Sequence, residues 1–173
     1  AVATYNEIDS LPRLVDEVFQ YAPEADLLVV DDNSPDGTGR WCDQRAAAAP
    51  RLRCIHRAGK PGLGTAPVAA LRYAIDHDYQ YVINMDADLS HQPGDIPRLL
   101  AGMNPADKPP VDVMIGSRYV EGGAIEGWPP QRHAMSRAVN LYARSMLGLR
   151  CRDCSGSFRC YRVARLRQLD FAA

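Results

Sequence analysis

Hydrophobic residues in this chain fall into short continuous runs, separated by stretches with helical spacing. Apolar positions recur at intervals of three and four over residues 9–21, which predicts a helix that tolerates Pro12 in its first turn. Residues 26–31 form a short apolar run ending in acids, as a buried parallel strand does. Strands and helices are predicted to alternate, which is typical of an α/β domain with a mostly parallel central sheet.

The same periodicity predicts the remaining elements. Strands are predicted at 1–3, 52–56, 79–85, 111–115 and 157–161, and helices at 36–49, 63–77, 94–103, 132–147 and from 163 onward. Residues 119–130 are rich in Gly and Pro and have no periodicity, so we expect a mobile loop there. With 173 residues and no internal repeat, residues 1–173 are predicted to form one domain.

Composition excludes several classes of protein. Hydrophobic residues make up 46% and charged residues 24% of the chain, as in a soluble globular domain and unlike a disordered or coiled-coil chain. No apolar run approaches the roughly 18 residues that span a bilayer. The net charge of −1 gives no reason to expect a nucleic-acid partner. Residues 118–173 nevertheless hold 10 Arg against 4 acids, which suggests a separate anion-binding side.

Five cysteines are an odd number in a chain large enough to build a core without disulfides. A reduced cytosolic protein fits this count best. Cys151 and Cys154 form one CxxC, but no second pair or nearby His completes a four-ligand zinc set.

Acidic side chains follow two of the predicted strands. Asp86 and Asp88 come directly after an apolar strand, and side chains two residues apart in an extended segment point the same way. Two such carboxylates suit a divalent cation that also binds substrate phosphates, as Mg²⁺ does. Asp31 and Asp32 end another strand, where a carboxylate can accept hydrogen bonds from a nucleotide base. The alternatives are a polar turn for the first pair and a helix-capping loop for the second.

Six segments resemble family 2 glycosyltransferases in content and order, and resemble the polyprenol-phosphate mannosyltransferases most closely. They are TYNE, VVDDNSPDGT, GKPGLGTA, MDADLSHQP, GSRYVEGG and DCSGSFRCYR, which together cover nearly the whole chain. The resemblance implies a GT-A (Rossmann-like) fold and inverting transfer of mannose from GDP-mannose to a polyprenyl (dolichyl) monophosphate. It also implies a Mg²⁺ or Mn²⁺ cofactor and a cytoplasmic protein peripheral to the membrane.

The resemblance also implies roles for individual residues. The nucleotide sugar would be held by Thr4, Tyr5, Glu7, Asp31, Asp32, Gly37, Lys60, Gly64, Asp86 and Ala87. The acceptor phosphate would be held by Arg118, Arg132, Ser136 and Arg159, with Arg162 as a further candidate. Asp86 and Asp88 are the implied metal ligands, and Asp88, Arg118 and Arg132 the implied catalytic residues.

Three departures from the family pattern stand out. Ala3 occupies a position usually held by Pro, and Ser90 replaces an amide that often follows the metal-binding Asp. The chain also opens on Ala1 and stops at Ala173, before the amphipathic helix and basic acceptor loop of the family. We therefore expect a domain truncated at both ends.

Other interpretations stay open at this point. A sibling enzyme could transfer glucose or N-acetylglucosamine from a UDP-sugar, because the base pockets of such enzymes use similar acids. A non-catalytic nucleotide-sugar-binding module is a second alternative. A dinucleotide-dependent dehydrogenase is disfavoured because no GxGxxG follows the first strand. His91 is expected to be a solvated turn residue, since Mg²⁺ prefers oxygen ligands.

Overall fold

The structure is a computed structural model that describes residues 1–59, 62, 64–120, 123 and 129–171. The strands of this part of the chain are β1 (Val2–Thr4), β2 (Leu27–Asp31), β3 (Leu52–His56), β4 (Tyr81–Asp86), β5 (Val113–Ile115) and β6 (Arg159–Arg162). The helices are α1 (Leu11–Tyr21), α2 (Thr38–Ala48), α3 (Thr65–Asp76), α4 (Ile96–Met103), α5 (Pro130–Leu147) and α6 (Val163–Leu166). A 3₁₀ turn, Pro93–Asp95, leads into α4.

The strands form one sheet in the order β3-β2-β1-β4-β6-β5. β1 to β4 are mutually parallel, and β6 runs antiparallel to both of its neighbours, β4 and β5. The predicted mixed α/β class with a mostly parallel sheet is therefore confirmed. All five residues of β2 are buried, as expected of a parallel strand flanked on both sides. α1 packs its stripe of Leu11, Leu14, Val15 and Val18 into the main core.

Helix boundaries differ from the predicted ones for local chemical reasons. α2 begins at Thr38 because the carboxylate of Asp36 accepts hydrogen bonds from the amide and hydroxyl of Thr38, at 2.9 and 2.6 Å. α5 begins at Pro130, two residues earlier than predicted, because proline suits the first helical turn. The loop predicted at 119–130 lies largely outside the described residues. No described helix is long and apolar enough to cross a bilayer.

The winding of the sheet reverses between β1 and β4. The chain winds outward from β1 through β2 to β3, and β4 then pairs on the opposite side of β1. Ligands of open α/β sheets bind at such a switch point, beyond the carboxyl ends of the strands. Thr4, Asp31 and Asp86 close β1, β2 and β4 at this edge. The fold therefore gathers the predicted acidic strand ends at one place.

Gly39 allows α2 to pack closely on the sheet. A Cβ at this position would lie 2.9 Å from Oδ2 of Asp31 and 3.1 Å from two ring atoms of His56. We expect Gly39→Ala to lower the free energy of unfolding by about 1–3 kcal/mol, because overpacking outweighs the better helix propensity of alanine. Chemical denaturation measures the change.

Gly59→Ala is the matched control, since a Cβ there has nothing within 4 Å. Its effect should stay within about 0.5 kcal/mol. Equal stability changes in the two variants would contradict the close packing described for Gly39.

Candidate active site

Hydrogen bonds join the loops that follow β1 and β2. Asp31 is 2% exposed, and its Oδ1 accepts from the hydroxyls of Thr4 (3.0 Å) and Ser34 (2.5 Å). Its Oδ2 accepts from the amide of Ser34 at 3.1 Å. The Thr38 hydroxyl in turn accepts from the amide of Glu7 at 3.0 Å. Asp31 was predicted to bind the nucleotide; in the structure its carboxylate joins the two loops, and its contact with a nucleotide stays a prediction.

The neighbouring acid, Asp32, has a different environment. Its side chain is 9% exposed, and Nη1 of Arg57 lies 3.1 Å from its Oδ1, an ion pair whose angles fall outside hydrogen-bond geometry. Both of these buried atoms lack a hydrogen-bond partner within the described residues. A buried polar atom without a partner is costly, by about 1–3 kcal/mol. Contact of Asp32 with the N–H groups of a nucleotide base stays a prediction.

The remaining nucleotide-site candidates surround these two acids. Tyr5 is 42% exposed just beyond β1, and Oε2 of Glu7 accepts from the hydroxyl of Ser10 at 2.7 Å. Gly37 and Gly64 both adopt left-handed backbone angles, φ 95° and 94°, immediately before α2 and α3. Lys60 lies outside the described residues. Ligand contacts of this group stay predictions.

The acid pair lies at the end of β4. Asp86 and Asp88 are exposed on either side of the buried Ala87. Both carboxylate oxygens of Asp86 accept from the hydroxyl of Ser157, at 2.9 and 2.8 Å. Burial acts to raise the pKa of Asp88, but hydrogen bonds from Ser90 outweigh it and hold the pKa below its usual value. Asp88 is therefore ionised at neutral pH.

These residues fit a hard divalent cation. Both offer exposed carboxylate oxygens, the ligand type that Mg²⁺ and Mn²⁺ prefer. Within the described part of the chain they belong to no cluster of three or more His, Cys, Asp or Glu ligands. The described residues would thus supply one or two carboxylates to a cation here, which would leave coordination positions for substrate phosphates and water.

His91 packs beside the acid pair and is not the solvated turn residue that the sequence predicted. Its side chain is 14% exposed, its ring stacks on Phe158 with centroids 5.0 Å apart, and its Nδ1 accepts from the amide of Asp86 at 3.0 Å. Burial, opposed by the charges of Asp86 and Asp88, lowers the pKa of His91 and keeps the ring neutral, as this acceptor role requires. Sequence reasoning also missed Ser157, which no spacing signal marks.

Arg118 makes a bidentate ion pair with Asp153. Its Nε and Nη2 each donate to the carboxylate at 2.8 Å, and its amide donates to the same group at 3.2 Å. The Asp153 side chain is fully buried, while that of Arg118 stays 22% exposed. Burial acts to raise the pKa of Asp153, but the bonds from Arg118 and Gly156 outweigh it and lower the pKa to about 2. Asp153 thus fixes the guanidinium at the end of β5.

A groove of about 430 Å³ lies beside this ion pair. Arg132 and Ser136 of α5 line it together with Ser155, and Ser155 accepts a hydrogen bond from Nη2 of Arg118 at 3.0 Å. Ser136 accepts from the hydroxyl of Tyr119 at 2.7 Å. Two of the four predicted acceptor-phosphate residues, Arg132 and Ser136, therefore line one groove, and Arg118 is joined to it through Ser155.

The other two arginines have internal partners. Arg159 donates to the carbonyls of Gly156 (2.7 Å) and Cys154 (2.6 Å), so it holds the loop that borders the groove. Arg162 is paired in register with Tyr81, at the amino end of β4, and donates to the carbonyls of Val111 and Met103. The prediction of Arg162 as a phosphate ligand is wrong, because it lies at the opposite edge of the sheet.

The fold and the acid pair define a GT-A type glycosyltransferase domain. Residues 1–169 match the model of Glycosyl transferase family 2. The chain is 46% identical over 172 residues to an undecaprenyl-phosphate mannosyltransferase of Micrococcus luteus, covering 99% of this chain and 69% of that protein. It is 40% identical over 173 residues to a polyprenol monophosphomannose synthase of Mycolicibacterium smegmatis, covering 99% of this chain and 64% of that protein.

A solved structure supports the fold. Glucosyl-3-phosphoglycerate synthase from Mycobacterium tuberculosis, in complex with Mn²⁺, UDP and phosphoglyceric acid, superposes with a TM-score of 0.67 at 19% identity, over 99% of this chain and 57% of that one. The chain belongs to glycosyl transferase family 2. The resemblance to family 2 glycosyltransferases found in the sequence is thereby confirmed. The prediction that the protein is a glycosyltransferase is confirmed with it.

The Asp153–Arg118 pair generates a prediction about stability and pH. Asp153→Asn should lower the free energy of unfolding by about 3 kcal/mol at pH 7, because it leaves a largely buried guanidinium without its counter-charge. The pKa of Asp153 is depressed in the folded state, so its contribution is present above its unfolded pKa of about 3.9 and is lost as pH falls toward 2. Denaturation at pH 7, 4 and 2 measures both effects.

Asp78→Asn is the control, since Asp78 is 83% exposed in a surface ion pair with Arg167. Its effect should stay below about 1 kcal/mol. The assignment fails if Asp153→Asn retains the full acid sensitivity of the unsubstituted protein between pH 4 and pH 2.

Proposed function

We propose that this chain transfers mannose from GDP-mannose to a polyprenyl monophosphate, with the acceptor phosphate as the nucleophile. The observation that carries the proposal is the segment 153–157, which touches the acid pair at one end and the basic groove at the other. Ser157 contacts Asp86, and Ser155 contacts Arg118 and lines the groove. Two residues of extended chain span at most about 7 Å, so donor and acceptor phosphates would lie next to each other.

The curated relatives support the chemical class of donor and acceptor. Both are named for mannosyl transfer to a polyprenyl phosphate, and both match 99% of this chain. The chain spans about two thirds of their length, so the activity of the complete protein belongs to the proposal. The identity of the base and sugar is proposed from these relatives.

The acceptor chemistry follows from charge. In the proposed reaction, a phosphate oxygen of the acceptor attacks the anomeric carbon from the face opposite GDP, the new C–O bond forms, and the bond to the β-phosphate breaks. A phosphate monoester already carries about −1.5 to −2 charge at neutral pH, so it needs no general base. Asp153, the acid beside the groove, has a pKa of about 2 and is a poor base. This favours an acceptor that arrives ionised.

The residues of the site would offset the negative charges of the acceptor phosphate and the donor diphosphate. Arg118 and Arg132 would hold the acceptor phosphate through charge-assisted hydrogen bonds, and Ser136 would add a hydroxyl. Asp86 and Asp88 would hold Mg²⁺ or Mn²⁺, which when bound offsets negative charge on the leaving diphosphate. Asp153 acts as a positioning residue, because it fixes Arg118 without reaching the groove itself.

Peripheral contact with the cytoplasmic membrane face is part of the same proposal. α5 exposes large apolar side chains, namely Met135, Leu141, Tyr142, Met146 and Leu147. Residues 130–152 also contain five arginines and no acid. Apolar and cationic side chains together suit the surface of an anionic bilayer, where a polyprenyl acceptor resides.

The acid pair can be tested through donor binding. We expect Asp88→Asn to abolish the gain in GDP-mannose affinity that Mg²⁺ or Mn²⁺ gives, since it removes an ionised ligand without touching the core. Calorimetry with GDP, GDP-mannose, UDP and UDP-glucose, with and without metal, measures it and identifies the donor.

Asp95→Asn is the control for this experiment, because Asp95 is an exposed acid nearby that pairs with Arg98 on the surface. GDP-mannose binding by the Asp95→Asn variant should keep its dependence on the metal. Unchanged metal dependence in Asp88→Asn would contradict the metal site, and tighter binding of the uridine ligands would contradict the donor assignment.

The basic groove can be tested through turnover. Arg132→Ala should reduce transfer to a short polyprenyl phosphate by roughly 10- to 150-fold while leaving GDP-mannose affinity nearly unchanged, because a hydrogen bond between charged groups is worth about 1.5–3 kcal/mol. Arg132→Lys should restore part of the rate, since lysine keeps the charge but not the planar fork. The measurements are the transfer rate and donor affinity of each variant.

The control is Arg98→Ala. Arg98 lies on α4, is 79% exposed and pairs with Asp95 on the surface, so its loss should leave transfer near the original rate. If Arg132→Ala weakens donor binding as much as turnover, Arg132 binds the donor diphosphate and the acceptor assignment is wrong.

A further inference from the structure

A second cluster of metal-ligating side chains lies where α2 packs on β3, the edge strand of the sheet. Asp43 of α2 and Cys54 and His56 of β3 each offer one ligand atom, and these atoms all lie within 4.8 Å of one another. No other such group of three exists among the described residues. The cluster shares no residue with the candidate active site, so it requires a separate explanation.

The backbone brings these three groups together. Cys54 and His56 are two residues apart on a strand, so their side chains leave the same face of the sheet. α2 covers that face, and Oδ1 of Asp43 lies 2.8 Å from Nε2 of His56. The imidazole lies over Gly39, where a Cβ would come within 3.1 Å of its Nδ1 and Cε1. The absent side chain of Gly39 thus leaves room for the ring, whose Nε2 is directed at Asp43.

A second sulfur borders the cluster on its inner side. Cys42 is fully buried on α2, and Cys54 packs against the core cluster that contains it. On the outer side Asp43 and His56 are exposed to solvent. The cluster therefore combines a buried sulfur-rich side with an open polar side.

We propose that Asp43, Cys54 and His56 form a binding site for Zn²⁺ or a similar borderline transition-metal ion. Zinc takes thiolate, imidazole and carboxylate ligands in tetrahedral sites, and these three residues supply one of each. Water would complete the coordination. Mg²⁺ and Mn²⁺, which prefer oxygen, would instead select the carboxylates of Asp86 and Asp88.

The function of such a site would be structural. A metal shared by α2 and β3 would join two elements that form one side of the proposed base pocket. His56 is paired in register with Asp31, and the next residue, Arg57, faces Asp32. Binding only to the folded chain would also raise its stability by mass action. This proposal depends on local geometry and does not rest on the proposed transferase function.

Metal binding at this site must displace protons. The hydrogen bond from Cys42 and burial both raise the pKa of the Cys54 thiol. The hydrogen bond to Asp43, with further contributions from Cys54 and Asp31, outweighs burial and raises the pKa of His56. Deprotonation therefore opposes binding at low pH, so titrations belong near pH 8.

Titration of the reduced chain with Co²⁺ tests the proposal, because Co²⁺ replaces Zn²⁺ and reports its ligands by absorption. We expect one equivalent to give a near-ultraviolet thiolate-to-metal band with the intense visible bands of tetrahedral cobalt, and Zn²⁺ to abolish both. A site built only of Asp86 and Asp88 gives no thiolate band. Absence of that band in the unsubstituted protein would overturn the proposal.

Variants distinguish this cluster from other thiols. Cys54→Ser should remove the thiolate band, and His56→Gln should weaken binding at least about 100-fold, since even outer-shell partners cost 10- to 100-fold. His56 is half exposed, so its variant keeps the test valid if Cys54→Ser fails to fold. The control is Cys151→Ser with Cys154→Ser, which removes the thiols lying 3.5 Å apart elsewhere. Loss of the band in that control, or its survival in Cys54→Ser, would contradict the assignment.

Discussion

The buried carboxylate of Asp153 organises the part of the structure on which the site depends. It accepts hydrogen bonds from the side chain and amide of Arg118 and from the amide of Gly156, so it fixes the end of β5 against the approach to β6. Leaving any of these groups unpaired in a fully buried position would cost several kcal/mol. The geometry of segment 153–157 is therefore tightly specified, and with it the relation between the acid pair and the groove.

The sequence predicted best the elements with strong hydrophobic periodicity and the residues that directly follow an apolar strand. The apolar stripe of α1 and the continuous apolar run of β2 were predicted correctly as a helix and a strand. In each element the apolar residues that form the sequence pattern are the ones buried in the core. Asp86 and Asp88 were singled out because they follow an apolar strand, and the structure places them at the edge where parallel strand ends converge; their role as metal ligands stays a prediction. Arg132 and Ser136, four residues apart, share one helix face and so line the same groove.

The residues that the sequence did not predict are those whose roles depend on contacts distant in the chain. Ser157 meets Asp86 across 71 residues, and Asp153 meets Arg118 across 35. Asp31 and Asp32 are adjacent and chemically identical, yet one faces the hydroxyls of Thr4 and Ser34 while the other faces Arg57. Successive side chains of an extended segment point to opposite sides, so only the packed structure shows which partners each acid has.

The two proposed cation sites of this chain differ in ways that would keep them separate. Asp86 and Asp88 offer exposed oxygen donors at the carboxyl end of β4, and a cation held there would have to bind weakly enough to leave with product phosphates. The Asp43, Cys54 and His56 cluster combines sulfur, nitrogen and oxygen at the sheet's outer edge, where no substrate phosphate is needed to complete it. The softness of the ligands alone thus determines which kind of ion each site binds, since a hard cation gains little from a thiolate. A cation at the outer edge could therefore remain bound through turnover, and only the oxygen site would exchange with each donor.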